Sequence, residues 1–382
     1  MTGRRLGSLE RVWQAARAMD RSFSLQLVLE LDRALDRATW EQALVEVGRH
    51  NPLVGCRTTG VLGWTRWTPG EVRPRVLEVW GGAWSGDSLK AAAFLEGPLE
   101  QPVELLLVEG QVPRVVLRCD HALVDGIGIL GLVRDLFDVL GGRTPGSLPL
   151  GTSDLELARS LRRTPAPAPP VDVGSPLGPP RSDSPHRSWF ARRAPLHDRL
   201  MARVVRATWR ASRRWTDRPL RVDVPVDLRR HGAEGSGNLT GLVQLTLHEE
   251  PSLDEVHERL NAALAERAEL DPVLRMAVAR WLPVAWLAGL GRAGAERSYS
   301  SDDWQSSVTL SHLGRHDLTG FGGPSVQLRR LVPVAPSSRG LPLNLTFLAD
   351  REGVELSASA PAAVGGEGRL ADFLADLADA LG

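Results

Sequence analysis

The chain has few of the residues that mark membrane-spanning or disulfide-stapled proteins. Its 382 residues include two cysteines, Cys56 and Cys119, and one lysine, Lys90. Two cysteines cannot form a disulfide framework and are typical of a reducing compartment. No apolar run reaches 18 residues, and the N-terminus has no apolar signal segment. We therefore expect a cytoplasmic protein with no transmembrane segment.

The charges balance, because 46 basic residues face 46 acidic ones. A net charge of zero argues against nucleic acid or a membrane surface as the general partner. Nearly all basic residues are arginine, which we attribute to genomic bias rather than to phosphate recognition. The 42% hydrophobic content is ordinary for a packed protein. At about 150 residues per domain, the length predicts two or three domains or two joined lobes.

A proline-rich segment divides the chain. Residues 162–188 contain a proline every few residues. A segment with so many prolines cannot form the interior of a helix or a β-sheet. The predicted organisation is therefore an N-terminal lobe over 1–161, a linker over 162–188 and a C-terminal lobe over 189–382.

Hydrophobic periodicity predicts helices and strands in both halves. Ser8 is the predicted N-cap of the first helix, and alternating leucines predict a strand over 25–31. In the second half we predict one apolar helix over roughly 271–292 and a strand over 324–334. The pattern indicates an α/β fold in two lobes.

The stretch "DHALVDGI", from Asp120 to Ile127, follows an apolar strand and precedes a predicted helix. His121 therefore lies on a loop at the end of a sheet, where a neutral imidazole can remove a proton from a hydroxyl or amine. Asp125 can orient the loop, and Gly126 lets a ligand or backbone approach closely. Taken alone, His-x-x-x-Asp fits a structural histidine as well as a catalytic one.

The sequence supports metal binding and a thiol nucleophile less well than it supports a catalytic histidine at this loop. A metal site built from Asp120, His121 and Asp125 lacks a second histidine cluster, and consecutive residues point apart. We therefore predict no metal. Cys119 as a thiol nucleophile is disfavoured because it ends an apolar strand, where a buried thiol is usually inert.

"DHALVDGIGIL" resembles the HHxxxDG signature of the HXXXD-type acyltransferase superfamily. This superfamily includes chloramphenicol acetyltransferase, nonribosomal peptide condensation domains, polyketide-associated acyltransferases and wax ester synthases. Further stretches are similar to family segments in the same order: "LERVWQAARAM", "AFLEGPLEQPVELLLVEG", "VPVDLRRHGAEGSGN" and "VTLSHLG". The resemblance covers nearly the whole chain, and the order and spacing of these weak motifs make it specific.

The resemblance implies two chloramphenicol-acetyltransferase-like lobes in a V-shaped pseudo-dimer, with an active-site tunnel between them. It implies an acyltransferase of specialised metabolism that moves an acyl group from a pantetheine thioester to a hydroxyl or amine acceptor. The donor would be acyl-CoA or an acyl or peptidyl carrier protein. Coenzyme A or phosphopantetheine would be the acyl carrier, and no cofactor would stay bound.

The resemblance also assigns roles to single residues. His121 matches the general base, and Asp125 matches an aspartate that pairs with an arginine of the other lobe. Arg229 matches that arginine, and Arg230 is the weaker choice. Gly126 matches the glycine beside the thioester channel, and Ser311 matches a donor to the oxyanion. Asn238 matches the asparagine of the Gly-Asn pair after the second-lobe strand.

This sequence departs from the family pattern at two positions. Asp120 stands where the family has its first histidine, and His312 stands where "SNLG" has asparagine. A carboxylate beside the base can alter the pKa of the base or reject anionic acceptors. An alternative function is therefore a catalytically inactive condensation-like module that recruits carrier proteins or partner enzymes. The presence of His121, Asp125, Gly126 and Arg229 together argues against that alternative, because a scaffold would not require all four.

Overall fold

Two mixed β-sheets organise the chain into two lobes. The structure is a computed structural model that describes residues 3–89, 92–147, 149–161, 164–182, 184 and 186–382. The strands are β1 (Arg4–Arg5), β2 (Leu25–Leu31), β3 (Arg57–Thr59), β4 (Arg66–Thr68), β5 (Val76–Gly82), β6 (Val103–Gly110), β7 (Arg114–Cys119), β8 (Arg187–Ala194), β9 (Leu220–Asp227), β10 (Thr240–Leu247), β11 (Val308–Arg315), β12 (Leu328–Val334), β13 (Asn344–Ala349) and β14 (Val354–Pro361). The helices are α1 (Ser8–Met19), α2 (Arg37–His50), α3 (Gly126–Leu140), α4 (Asp154–Ser160), α5 (Leu200–Ser212), α6 (Leu253–Ala265), α7 (Asp271–Arg275), α8 (Val284–Ser301) and α9 (Gly366–Asp379).

The N-terminal lobe is built on a five-stranded sheet in the order β12-β2-β7-β6-β5. The β5–β6 pair is parallel, and the other pairs are antiparallel. Helices α2 and α3 pack against one another beside this sheet, and their apolar side chains share a core with Leu27 and Leu29 of β2. Val28, between these leucines, belongs to a second core on the opposite face, with Trp189 of β8. Both faces of β2 are buried, which explains its nearly continuous apolar sequence.

The C-terminal lobe is built on a six-stranded sheet in the order β10-β9-β11-β13-β14-β8. Strand β11 runs parallel to both of its neighbours, whereas the outer pairs are antiparallel. Helices α5 and α9 pack together, and they share a core with the apolar residues of the sheet. The predicted mixed α/β architecture is therefore confirmed.

Strand β12 links the lobes, because it comes from the second half of the chain but pairs with β2 of the first. A strand was predicted over 324–334, and the structure starts it at Leu328. Its sheet could not be read from the sequence, since pairing partners lie about 300 residues apart. The predicted domain limits of 1–161 and 189–382 stay a prediction.

The proline-rich segment 162–188 packs against the C-terminal lobe over part of its length. Val173 forms an isolated bridge with Trp304, and Leu177 is fully buried. Strand β8 begins at Arg187, one residue before the predicted end of the linker. Lys90 lies outside the described residues.

Two local predictions were wrong. Gly7, rather than Ser8, is the N-cap of α1, and its amide donates to the Glu10 carboxylate at 2.6 Å. The single helix predicted over 271–292 is three pieces: α7, a 3₁₀ turn over Met276–Trp281, and α8. Pro283 causes the last break, since its ring and missing N–H are excluded from a helix interior. None of the described helices has the length and apolar character needed to span a membrane.

Candidate active site

The motif loop joins β7 to α3 at the junction of the lobes. Asp125 is the N-cap of α3, and its Oδ1 accepts a hydrogen bond from the Gly128 amide at 2.8 Å. The start of α3 follows from this cap, because an aspartate oxygen satisfies an amide that the first helical turn leaves unpaired. The loop therefore starts at Asp120, directly after the strand, and ends at the cap of the helix.

The His121 ring packs against two aromatic side chains. Its centroid lies 4.8 Å from that of Trp13, with an angle of 8° between the planes, and 5.6 Å from that of Phe23. Trp13 belongs to α1, and Phe23 lies just before β2. His121 itself is only partly buried. The aromatic contacts fix the ring plane and leave part of the residue accessible.

The hydrogen bonding of His121 determines its protonated nitrogen. Nδ1 lies 3.2 Å from the Val124 carbonyl oxygen, which can only accept, so Nδ1 carries the hydrogen. Nε2 then holds a lone pair, and no hydrogen-bond partner for it occurs within the described part of the chain. Burial lowers the pKa of His121 below its ordinary 6.5, against the opposing effects of the Val124 carbonyl and Asp125. The ring is therefore neutral at neutral pH and has the tautomer that a base requires.

Asp125 is saturated by contacts that hold the loop. Its carboxylate lies 2.9 Å from the Arg229 guanidinium, and Oδ2 also accepts from the Leu239 amide at 2.8 Å. The Arg229 side chain donates further to the Asp227 carboxylate and to the carbonyls of Gly235 and Gly237. The structure thus brings Arg229 to Asp125, whereas Arg230 points to Glu269 at 4.0 Å. Both carboxylate oxygens of Asp125 therefore accept hydrogen bonds from within the protein.

Asn238 holds the loop from the C-terminal lobe. Its side-chain amide donates to the His121 carbonyl at 2.7 Å, and its backbone amide donates to the Leu123 carbonyl at 2.9 Å. Asn238 is 1% exposed, so these bonds are shielded from competing water. The backbone of His121 is therefore fixed by residues that lie more than 100 positions away in sequence.

Gly126 lies at a close contact between the lobes. A Cβ at this position would lie 2.5 Å from Cδ2 of Leu313 on β11. The sequence suggested that a ligand or backbone approaches Gly126, but a leucine side chain is what approaches it. Glycine here lets the start of α3 lie directly against β11.

Asp120 is neutralised by an ion pair that the sequence did not reveal. Oδ2 accepts from the Arg17 guanidinium at 2.5 Å, and Oδ1 accepts from the Ala122 amide at 3.0 Å. Arg17 also donates to the Leu99 carbonyl at 2.6 Å. The Asp120 carboxylate is therefore a paired charge at the edge of the site, not a free anion beside the base.

Ser311 lies on β11, two residues before Leu313, and pairs with Thr346 of β13. It is partly exposed, and no hydrogen bond joins it to the motif loop in the residues that the structure covers. His312 is exposed and stacks on Phe347, with 4.9 Å between ring centroids. The structure therefore places Ser311 on the strand that faces the loop but records no contact with His121.

A cavity of about 1350 Å³ reaches the motif at Asp120. Helix α1 forms one wall, the segment from Val54 to Arg73 forms a second, and residues 98–102 form a third. Pro283 and Val284 of the C-terminal lobe contribute to the lining. The cavity thus opens at the junction of the lobes and ends one residue before His121.

Sequence reasoning missed the contribution of α1 to the site. Neither Trp13 nor Arg17 was assigned to the site, yet Trp13 contacts the His121 ring and Arg17 pairs with Asp120. The available signal was an unpaired carboxylate in the motif, which needs a cation nearby when it is buried. Burial raises the pKa of Cys119 well above its ordinary value, which makes this thiol inert as a nucleophile.

The structure defines a two-lobed fold of mixed α/β sheets with the Asp120–Gly126 motif at the seam between the lobes. Comparison with solved structures identifies the same architecture in condensation domains of peptide and polyketide synthetases. The first condensation domain of the calcium-dependent antibiotic synthetase, in complex with a substrate analogue, matches with a TM-score of 0.65 at 16% identity, over 100% of this chain and 97% of that one. The chain therefore has the condensation-domain fold, and the predicted fold class is confirmed.

Two further relatives extend this likeness. A mutant starter condensation domain of rhizomide synthetase RzmA, in complex with C8-CoA and Leu-SNAC, gives a TM-score of 0.63 at 16% identity, over 99% of this chain and 93% of that one. The condensation domain of the Monacolin K polyketide synthase MokA gives 0.62 at 12% identity, over 100% and 97%. No family model and no curated protein sequence matches the chain. The likeness is one of fold, carried by three-dimensional structure and not by sequence identity.

Proposed function

We propose that this protein is an acyltransferase that moves an acyl group from a pantetheine thioester to a hydroxyl or amine acceptor. The observation that carries the proposal is the state of His121: Nδ1 is held by the Val124 carbonyl, Nε2 has no hydrogen-bond partner among the described residues, and the ring is neutral at neutral pH. The donor would be acyl-CoA or an acylated carrier protein. One solved relative of the same fold is described in complex with C8-CoA, which supports a coenzyme A-linked donor.

The proposed reaction begins with proton removal by His121. Nε2 takes the proton of the acceptor hydroxyl or amine as the acceptor oxygen or nitrogen bonds to the thioester carbonyl carbon. The carbonyl carbon becomes tetrahedral and its oxygen becomes an oxyanion, for which Ser311 is the candidate hydrogen-bond donor. When the C–S bond breaks, the imidazolium returns the proton to the departing sulfur. The products are an ester or amide and a free thiol, so the reaction needs no permanently bound cofactor.

Asp125, Arg229 and Asn238 would act through His121 rather than on the substrate. Their hydrogen bonds fix the loop backbone, while Trp13 and Phe23 fix the ring. A base held in one orientation contributes to rate because little reorganisation remains when the acceptor arrives.

The test is to incubate the purified protein with a panel of acyl-CoA donors and hydroxyl or amine acceptors and to detect products by mass spectrometry. We expect wild type to form a product, and His121→Ala to lose at least about a hundredfold in rate, the typical contribution of a general base. His257→Ala is the matched control, since His257 is exposed on α6 and bonds only Asn261. Equal turnover by His121→Ala and wild type would refute the proposal.

The second candidate is an inactive module that binds carrier proteins, and the observation in its favour is that the large cavity ends at Asp120 rather than at His121. Such a module would bind an acylated carrier protein but would release no free thiol with any acceptor. Its binding would also be unchanged in His121→Ala.

A further inference from the structure

Helix α1 and the turn after it form one wall of the large cavity and contribute three of its arginines. Arg11, Gln14 and Ala18 recur at intervals of three and four residues, which makes them a stripe on one face of α1, and Arg21 lies two residues beyond the end of the helix. Arg17 borders this stripe and lies against Asp120. The helix therefore carries Trp13 toward His121, and the arginines of this wall line the cavity.

The opposite wall adds cationic side chains. Arg57, on β3, and Arg73 both line the cavity, so five arginines and three carboxylates surround it. The carboxylates are Asp120, Glu71 and Glu100. The cavity is thus electropositive in a chain whose total charge is zero.

Each of these carboxylates already has its own arginine. Asp120 pairs with Arg17 at 2.5 Å and Glu71 pairs with Arg73 at 3.5 Å. Glu100 pairs at 3.0 Å with Arg75, which lies outside the lining. These pairs leave the acidic groups no spare capacity to neutralise the other arginines.

Three arginines of the lining therefore have no carboxylate partner among the described residues. Arg11 is 7% exposed and donates only to the Leu282 carbonyl and the Gln14 side chain. Burial without a carboxylate lowers its pKa from the ordinary value of an arginine. Arg21 and Arg57 are exposed at the mouth of the cavity. Several cations around a concave, partly apolar space focus a positive potential on whatever enters it.

We propose that this cavity binds an anionic group of a substrate, a phosphate or a carboxylate, beside the Asp120–His121 loop. The guanidinium fork matches both groups, since it donates parallel hydrogen bonds to two oxygens. This anion site extends the acyl-transfer proposal and rests on it, because the bound anion is part of a substrate only if the protein is an acyltransferase. Because Arg17 neutralises Asp120, the carboxylate in place of the usual histidine does not repel such a group. The general attribution of arginine to genomic bias does not hold for this cavity.

Two sources of the anion are chemically distinct: the phosphates of an acyl-CoA donor and a carboxylate of the acceptor. The experiment titrates wild type, Arg21→Ala, Arg57→Ala and the double variant with coenzyme A, with pantetheine and with succinate, using isothermal titration calorimetry. Arg329→Ala is the matched control, because Arg329 is a 66% exposed arginine on β12 that does not line the cavity. Both test residues are exposed, so the variants should fold as wild type does.

We expect each single substitution to weaken binding of the anionic probe by about three- to tenfold and the double substitution by more, with the control unchanged. Weaker binding of coenzyme A with unchanged pantetheine binding identifies the phosphate source. Weaker binding of succinate with unchanged coenzyme A binding identifies the carboxylate source. Unchanged affinities for both anions, or no binding of either to wild type at millimolar concentrations, overturns the proposal. Because the readout is binding, this result is independent of whether His121→Ala abolishes turnover.

Discussion

Removing the Arg229 side chain tests how the C-terminal lobe holds the motif loop. Arg229→Ala deletes the cation beside Asp125, whose side chain is only 4% exposed, and deletes donors to Asp227, Gly235 and Gly237. Two backbone amides, of Gly128 and Leu239, would still bind the Asp125 carboxylate. The variant therefore leaves a buried carboxylate that is hydrogen-bonded but has lost its counter-ion.

The expected loss of unfolding free energy is about 3 kcal/mol. Breaking a buried ion pair by removing one partner costs roughly 3–5 kcal/mol, and the 17% exposure of the Arg229 side chain favours the lower end. In a chain of this size the loss corresponds to a fall in Tm of about 5 °C. We also expect kcat to fall by more than about tenfold, since the His121 carbonyl is bonded by Asn238 from the segment that Arg229 anchors.

The assay is thermal unfolding followed by calorimetry, together with a double-mutant cycle that adds Asp125→Ala. The cycle should give a coupling free energy of about 2 kcal/mol between the two side chains. Arg230→Ala is the control: its side chain is 42% exposed, and its nearest carboxylate is 4.0 Å away, so its effect should stay within about 0.5 kcal/mol. Equal Tm values for the Arg229 and Arg230 variants would refute the reasoning.

Three further predictions concern two residues at the motif loop and one buried carboxylate at the start of α4. Gly126→Ala should cost about 1 kcal/mol, at the low end for overpacking, because its Cβ would lie 2.5 Å from Cδ2 of Leu313, the end of a side chain that can turn away; urea unfolding should show this cost gone in a Leu313→Ala background, and an equal cost there would contradict the packing argument. Burial raises the pKa of Asp154 to about 7, so the folded chain holds a proton that the unfolded chain releases near pH 4. The stability of wild type relative to Asp154→Asn should therefore fall by on the order of 4 kcal/mol from pH 4 to 7 and stay level above, whereas parallel pH curves would exclude it. Asn238→Asp would set a carboxylate oxygen against the His121 carbonyl and should lower kcat by about tenfold with little change in KM; a rate equal to wild type would show that this contact does not position the base.

Local sequence patterns predicted individual elements of the fold but few of their contacts. Alternating leucines predicted β2, and Asp36 caps α2 with a hydrogen bond from the Thr39 amide. These features depend on neighbours within four residues, which the sequence displays directly. The pairing of β12 with β2 depends on a contact that no local pattern encodes.

The candidate site likewise contains residues that were predicted and residues that were not. The resemblance supplied His121 and the candidate partner Arg229, and the structure brings Arg229 to Asp125. It assigned no role to Arg17, because the ion pair joins Asp120 to a residue 103 positions away in sequence. The approach of a ligand to Gly126 stays a prediction, and the close contact with Leu313 became visible only in the three-dimensional structure.

The most direct test of the central claim compares two pKa values for the same ring. NMR titration of His121 gives the first, and the pH dependence of kcat/KM for acyl transfer gives the second. Because burial lowers the pKa of His121 below 6.5 and only the neutral ring accepts a proton, the rate should rise with pH through that same value and be level by neutral pH. A rising limb well above 6.5, or one that persists in His121→Ala, would contradict the account.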